Sequence, residues 1–174
     1  LRGTLECCIF PLKGYPPTDN AGWEKVFNAA RNYGLNHIRF HSWCPPEAAF
    51  DVADKMGFYL QIELPLWALN VGEDPKTVDF LYDEAKRIMK EYGNHPSFCF
   101  WSLGNELQGD FSVMDKLLTT IKQEDKRHLY MTTTFTFEPG HGSWPEPNDD
   151  FWVSQWTKNG WVRGQGIFDD QPAS

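Results

Sequence analysis

Basic residues are scarce in this chain: 16 Lys and Arg stand against 24 Asp and Glu, a formal net charge of -8. A surface of that sign offers no footprint for a phosphate backbone, so no nucleic-acid partner is expected. Long apolar runs are missing too. None approaches the roughly 20 residues of a membrane-spanning helix, so no membrane partner is expected either. Cysteine is sparse, with 4 in 174 residues, at Cys7, Cys8, Cys44 and Cys99. There is no Cys-x-x-Cys pair and no His/Cys ligand spacing, which argues against a zinc site. Adjacent Cys7 and Cys8 on a strand would point to opposite faces and cannot close an unstrained disulfide, so buried free thiols are the expectation. No signal peptide is visible and the chain starts mid-theme at Leu1-Arg2-Gly3. It therefore reads as an excised segment whose termini do not report localisation.

What the chain has in abundance is apolar and aromatic surface. Hydrophobic residues make up 41% and aromatics 16%, including 8 Trp and 13 Phe, ample for one domain with a real core. Most of these rings are expected in that core. The surplus also suits a cleft for sugars, whose C–H faces stack on flat apolar rings.

One unit recurs along the sequence: a short apolar strand, a loop, an amphipathic helix, a glycine, then the next strand. Strands are expected at Leu5–Phe10, His37–Phe40, Tyr59–Glu63, Phe98–Ser102 and Leu129–Thr134. Between them, Trp23, Val26, Phe27 and Ala30 recur at helical spacing, as do Ala49, Phe50 and Ala53 behind Pro46. The clearest helix carries Val78, Leu81, Tyr82, Ala85, Ile88, Met89 and Tyr92 on one face. A fourth opens with a capping-box pattern at Ser112 and Asp115, followed by Leu117, Leu118 and Ile121. Gly34, Gly57 and Gly93 each follow a helix, where a left-handed cap favours glycine. Strands and helices alternating over short connections predict a parallel sheet with helices outside it. At this density the pattern projects to a (β/α)₈ barrel of roughly 250 residues. The chain holds only the first five or six strands, a single partial domain over 1–174. After Thr134 the pattern gives way to a long Pro/Gly/aromatic-rich loop over 136–174, with a candidate sixth strand near Phe151–Gln155 or Trp161–Gly164.

The most informative run is Asn94-His95-Pro96-Ser97 through Gly104-Asn105-Glu106. Its apolar centre, opened by proline and closed by glycine, reads as a strand buried on both faces. Polar residues at the carboxyl end of such a strand sit where α/β barrels carry chemistry. A carboxyl among aromatics there is a natural general acid, because a dry site favours its protonated form. This run resembles the acid/base strand of glycoside hydrolase family 2, the β-galactosidase, β-glucuronidase and β-mannosidase type. Asn36-His37-Ile38-Arg39-Phe40-His41-Ser42-Trp43-Cys44-Pro45-Pro46 resembles that family's second strand, and Ala53 to Glu63 the helix and third strand that follow. The likeness runs from about Arg2 to Tyr130.

The resemblance implies a TIM barrel, retaining hydrolysis of β-glycosidic bonds in oligo- or polysaccharides, and no cofactor beyond an occasional structural metal ion. It makes Glu106 the catalytic acid, later the base, and Asn105 a hydrogen-bond partner of the sugar 2-hydroxyl. Arg39 and His41 share inward parity on the second strand, where a basic group can hold the nucleophile ionised or bind hydroxyls; for Arg39 a structural salt bridge inside the barrel is the alternative. The family's usual order there is Arg-x-Ser-His, whereas this chain reads Arg39-Phe40-His41-Ser42. Glu63 matches a family carboxylate near the site, and Trp43 and Trp67 are candidate stacking platforms; His37 and His128 read as structural. Retention requires a second carboxyl about 5–5.5 Å from the acid, and the family supplies it from a seventh strand, beyond residue 174. Glu138, Glu146, Asp149, Asp150, Asp169 and Asp170 read as solvated loop charges rather than that nucleophile. The chain alone is therefore expected to be inactive, and its open barrel edges to invite self-association. A secreted or periplasmic location is compatible with a full-length enzyme of this kind. An endo-acting glucanase or mannanase of the same barrel clan, or a catalytically inactive carbohydrate-binding barrel, are the alternatives.

Overall fold

The computed structural model describes residues 1–134 and 145–151, together with the backbone of two short strands at 156–157 and 160–161. Five strands form one sheet in chain order: β1 (Gly3–Glu6), β2 (His37–Phe40), β3 (Tyr59–Glu63), β4 (Phe98–Ser102) and β5 (Leu129–Met131). All four pairings are parallel. The connections between them are helices α1 (Asn20–Asn32), α2 (Glu47–Met56), α3 (Pro75–Tyr92) and α4 (Phe111–Glu124). Each new strand adds on the same side of the last, which is the winding of a barrel rather than of a doubly wound sheet. The expected partial TIM barrel is the observed architecture.

The helices form where apolar spacing and caps agree. Trp23, Phe27 and Ala30 bury one face of α1, whose first turn is capped by Asp19 accepting from Gly22 N–H. In α3, Pro75 follows the capping Asp74, and Leu81, Ala85, Ile88 and Met89 are buried. The start of α4 differs from the expected Ser112 box. Asp110 is the cap, its carboxylate accepting from both Ser112 and Val113 N–H, and Ser112 already lies in the first turn. The Asp110 carboxylate takes two of the orphan N–H groups at once, and the helix therefore starts two residues before the Ser112 pattern puts it.

Gly34 and Gly57 adopt φ of 72° as expected. Gly93 does not: its φ is -61°. Its requirement is space, since a Cβ there would lie 2.1 Å from Arg127 Nη2. That guanidinium donates to Met89 O at 3.2 Å and so satisfies a terminal carbonyl of α3.

The main core lies between the outer face of the sheet and the helices. Ile38, Phe40, Leu60, Ile62, Phe98, Trp101 and Tyr130 from the strands pack with Trp23, Phe27, Phe50, Leu81 and Leu118. Burying each such side chain contributes roughly 1.5–3 kcal/mol before ordering costs. The opposite parity faces the barrel axis. Strand register pairs Leu5 with Arg39, Arg39 with Gln61, and Glu63 with Ser102. Between Leu60 and Gln61 the partner residue jumps from Phe98 to Phe100, a bulge that leaves Cys99 as the extra residue. The bulge lets Phe98 and Trp101 both turn to the helices, which explains a strand that reads as apolar throughout.

Two expected strands end early. β1 stops at Glu6, because Cys8 takes a φ of 56° and its N–H turns back to the Glu6 carboxylate at 3.0 Å. Consequently Cys7 and Cys8 are exposed, Cys44 and Cys99 are only partly buried, and all four thiols are free. β5 stops at Met131, and segment 145–151 folds over its edge. Tyr130 N–H donates to Asp150 Oδ2 at 3.0 Å and Thr132 N–H to Asp149 Oδ1 at 2.7 Å. Asp149 and Asp150 are thus edge clamps rather than solvated loop charges, and burial pushes the Asp149 carboxyl up. An isolated parallel bridge joins Val71 and Gly109, and β6 (Trp156–Thr157) pairs antiparallel with β7 (Gly160–Trp161) in a sheet of its own. Most of the candidate sixth strand lies outside the described residues, as do Glu138, Asp169 and Asp170.

Candidate active site

The carboxyl ends of β2, β3, β4 and β5 converge on one polar cluster. Arg39 sits on the axis-facing parity of β2 and reaches across to Glu63, the last residue of β3. Its Nε donates to Glu63 Oε1 at 2.6 Å and its Nη2 to Oε2 at 3.2 Å, a bidentate pair. The Glu63 side chain is 0% exposed and that of Arg39 12%. Two further donors complete the carboxylate: Ser42 N–H at 2.7 Å and Gln61 Nε2 at 3.3 Å. A buried carboxylate needs such saturation, because each unfilled lone pair carries its full desolvation cost.

Arg39 Nη2 also donates to Asn105 Oδ1 at 2.7 Å. A guanidinium only donates, so the contact fixes which way the Asn105 amide is turned. The Thr134 hydroxyl donates to the same oxygen at 3.1 Å. Asn105 Nδ2 is left buried and without a partner among the described residues. Asn105 itself is 3% exposed.

The turn after β4 is built to carry these groups. Ser102 Oγ donates to Gly104 O at 3.0 Å, and Asn105 N–H donates to Leu66 O at 3.0 Å. Gly104 is required by close approach, since a Cβ would lie 2.3 Å from Leu66 O. Glu106 follows with a φ of 50°. Left-handed geometry costs a non-glycine residue roughly 1–2 kcal/mol, and here its N–H is held by Thr134 Oγ1 at 3.2 Å. The three non-glycine residues with positive φ among the described ones are Cys8, Ser42 and Glu106. Each follows a barrel strand, and each has its N–H taken by a side-chain oxygen, of Glu6, Glu63 and Thr134 respectively.

The other expected site residues divide. His41 and Trp67 meet edge to face with centroids 5.2 Å apart, and Trp67 is 60% exposed. Trp43 packs on Trp23 and Phe40, and its indole N–H donates to Glu6 O at 3.2 Å. It supports the barrel rim more than it offers an open face. His37 is axis-facing against Phe100, and burial holds its imidazole down to about 4. His128 Nδ1–H donates to Phe98 O at 2.6 Å, on the far end of the sheet. Thr133 and Thr134 were not singled out from sequence, although three consecutive hydroxyls at a strand's carboxyl end, Thr132-Thr133-Thr134, are a readable signal. Among the described residues no group of three or more His, Cys, Asp or Glu could hold a metal ion, and no helix is long and apolar enough to cross a membrane.

A sequentially wound parallel sheet with its polar network at the carboxyl strand ends defines the α/β barrel class. Residues 19–136 match the family model described as glycosyl hydrolases family 2, TIM barrel domain, and the chain belongs to that family. It is 31% identical over 97 residues to a β-galactosidase of Arthrobacter sp. (strain B7), covering 51% of this chain and 10% of that protein. It is 32% identical over 105 residues to a β-glucuronidase of Bacteroides fragilis, covering 55% of this chain and 15% of that protein. The chain thus matches only a small part of the length of either curated relative. Among solved structures, the β-glucuronidase from Ruminococcus gnavus in complex with uronic deoxynojirimycin superposes with a TM-score of 0.76 at 19% identity. That match covers 92% of this chain and 29% of the other, and at that identity it speaks for the fold.

Proposed function

We propose that this chain supplies the acid/base half of a retaining β-glycoside hydrolase site. Glu106 protonates the leaving oxygen and later activates water, while a second carboxyl outside the described residues attacks the anomeric carbon. Asn105 donates to the sugar hydroxyl next to the reacting carbon, Arg39 and Glu63 hold Asn105 in position, and His41 and Trp67 line the sugar's approach. The observation that carries this reading is the Asn105 amide. Its oxygen is taken by Arg39 at 2.7 Å and Thr134 at 3.1 Å, while its buried Nδ2 has no partner among the described residues. A buried donor left open beside a carboxyl is costly unless a ligand's acceptor completes it.

The test is a panel of nitrophenyl and alkyl β-glycosides on the intact protein, with Glu106→Ala beside the wild type. General acid catalysis contributes on the order of 10²–10⁴-fold. The variant is therefore expected to lose turnover of poor leaving groups while retaining more of it on activated aryl glycosides. Equal loss on both removes Glu106 from the acid role. Carbohydrate binding by the wild type with no turnover of any β-glycoside favours the competing reading, a binding barrel.

A further inference from the structure

We infer that Thr134 is the positioning residue of this site, a single side chain just past the end of β5 that sets both Asn105 and Glu106. The inference rests on the functional reading just given for those two residues. Three bonds run from Thr134 to three successive residues of the turn after β4. Its N–H donates to Gly104 O at 3.4 Å, its hydroxyl donates to Asn105 Oδ1 at 3.1 Å, and its hydroxyl oxygen accepts from Glu106 N–H at 3.2 Å. A hydroxyl has one donor and two acceptor sites. The donor goes to Asn105, one acceptor site to Glu106, and the other faces Arg39 Nη2 at 3.5 Å. The side chain is fully used, and Thr134 is 5% exposed.

Geometry gives this contact its leverage. Glu106 stands at a φ of 50°, a conformation that its own backbone disfavours and that decides where its carboxyl points. The neighbouring Thr133 hydroxyl accepts from Leu107 N–H at 2.9 Å, so two consecutive hydroxyls hold two consecutive N–H groups across the strained step. Removing the Thr134 hydroxyl leaves a half-buried N–H unpaired and frees the backbone to relax towards negative φ. It also removes one of the two donors that turn the Asn105 amide. Both site residues then lose definition, although neither has been altered and Thr134 itself need not touch substrate.

Three variants of the intact protein test this: Thr134→Val, which keeps shape and removes the hydroxyl; Thr134→Ser, which keeps the hydroxyl; and Thr134→Ala. The alanine variant stands in if the added methyl of valine, set against two polar groups, prevents folding. Hydrogen exchange of the peptide spanning 104–108 is measured beside kcat on poor and activated β-glycosides and beside Tm. T134V or T134A is expected to speed exchange at Glu106 by about tenfold or more. The same variants are expected to lower kcat on poor leaving groups by roughly 10–100-fold, the scale of a small misplacement of a reacting group. T134S should stay within about threefold of wild type on both measures, since it restores the same hydroxyl. Unchanged exchange in the hydroxyl-free variants, or equal impairment in T134S, overturns the inference. If the wild type turns over no β-glycoside, the functional reading fails, and the exchange measurement alone still decides whether Thr134 holds Glu106.

Discussion

Replacing Arg39 by methionine isolates what the buried ion pair does. The substitution keeps a long apolar stem and deletes the guanidinium, leaving Glu63 with Ser42 N–H at 2.7 Å and Gln61 Nε2 at 3.3 Å as its donors. Glu63 is 0% exposed on its side chain, so water cannot take the place of the lost cation. Breaking one partner out of such a pair costs about 3–5 kcal/mol, against about 0–1 kcal/mol for an exposed pair. For a chain of this length that corresponds to a drop in Tm of roughly 6–20 °C. Urea unfolding of R39M, E63Q and the double variant gives the stabilities, provided the slope m is unchanged. The double variant has no stranded charge and is expected to recover at least about 2 kcal/mol of the R39M loss, a coupling that contacting residues show. A loss below about 1 kcal/mol in R39M, or a double variant that costs the sum of the singles, refutes the reasoning. Arg39→Lys is expected to fall between, because an ammonium cannot reach two carboxylate oxygens and Asn105 in one plane.

Gly104→Ala forces a Cβ to 2.3 Å from Leu66 O, a backbone atom with no freedom to retreat; a loss of about 2–4 kcal/mol is expected by the same unfolding assay, and a neutral result overturns the close-approach argument. His37 is held down to about 4 from an ordinary 6.5. Its neutral form is favoured by folding, so its contribution is intact above about 6.5 and is lost as pH falls from there towards 4. The loss is at most about 3 kcal/mol, partly offset by Glu6 and Asp149, whose carboxyls burial pushes up; melts of wild type and His37→Gln across pH 7 to 4 should show the flatter dependence in the variant.

How much of this was legible in sequence depended on how local the deciding contact is. β2, β3 and β4 begin and end where apolar spacing and the flanking Gly and Pro put them, because each is bounded by its own helix turn. β1 ends short of the apolar residues past Glu6, because the chain turns at Cys8 through a contact that spacing does not record. The bulge at Cys99 was invisible for the same reason: it depends on register against β3. In the site, inward parity on β2 marks Arg39 and the strand-end position marks Glu63, each singly, while their pairing is seen only in the structure. The link from Thr134 back to Asn105 spans 29 residues, and no local pattern encodes it. Asp149 and Asp150 were read as solvated charges because their partners are backbone N–H groups, which every strand has and no sequence motif marks.

The ion pair at the centre of the site is better explained by direction than by stability. A well-packed apolar pair of similar volume would be roughly as stable, since desolvating two charges consumes most of their mutual attraction. What an apolar pair cannot do is orient an amide. Arg39 spends two contacts on Glu63 and one on Asn105 Oδ1, and its planar fork makes these three geometrically dependent. Glu63 is in turn fixed by Ser42 N–H, whose residue stands at a φ of 59°. The position of Asn105 Nδ2 is therefore set by a chain running from the end of β2 through β3 to the turn after β4, with Thr134 closing it from the segment after β5. Each link is a donor meeting a defined acceptor, so a shift at any one strand end is transmitted to Asn105 Nδ2, which has no partner among the described residues. That makes the strained residues part of the site's accuracy: a left-handed step after β2 and another after β4 aim Glu63's donor and Glu106's carboxyl, and relaxed steps would aim neither.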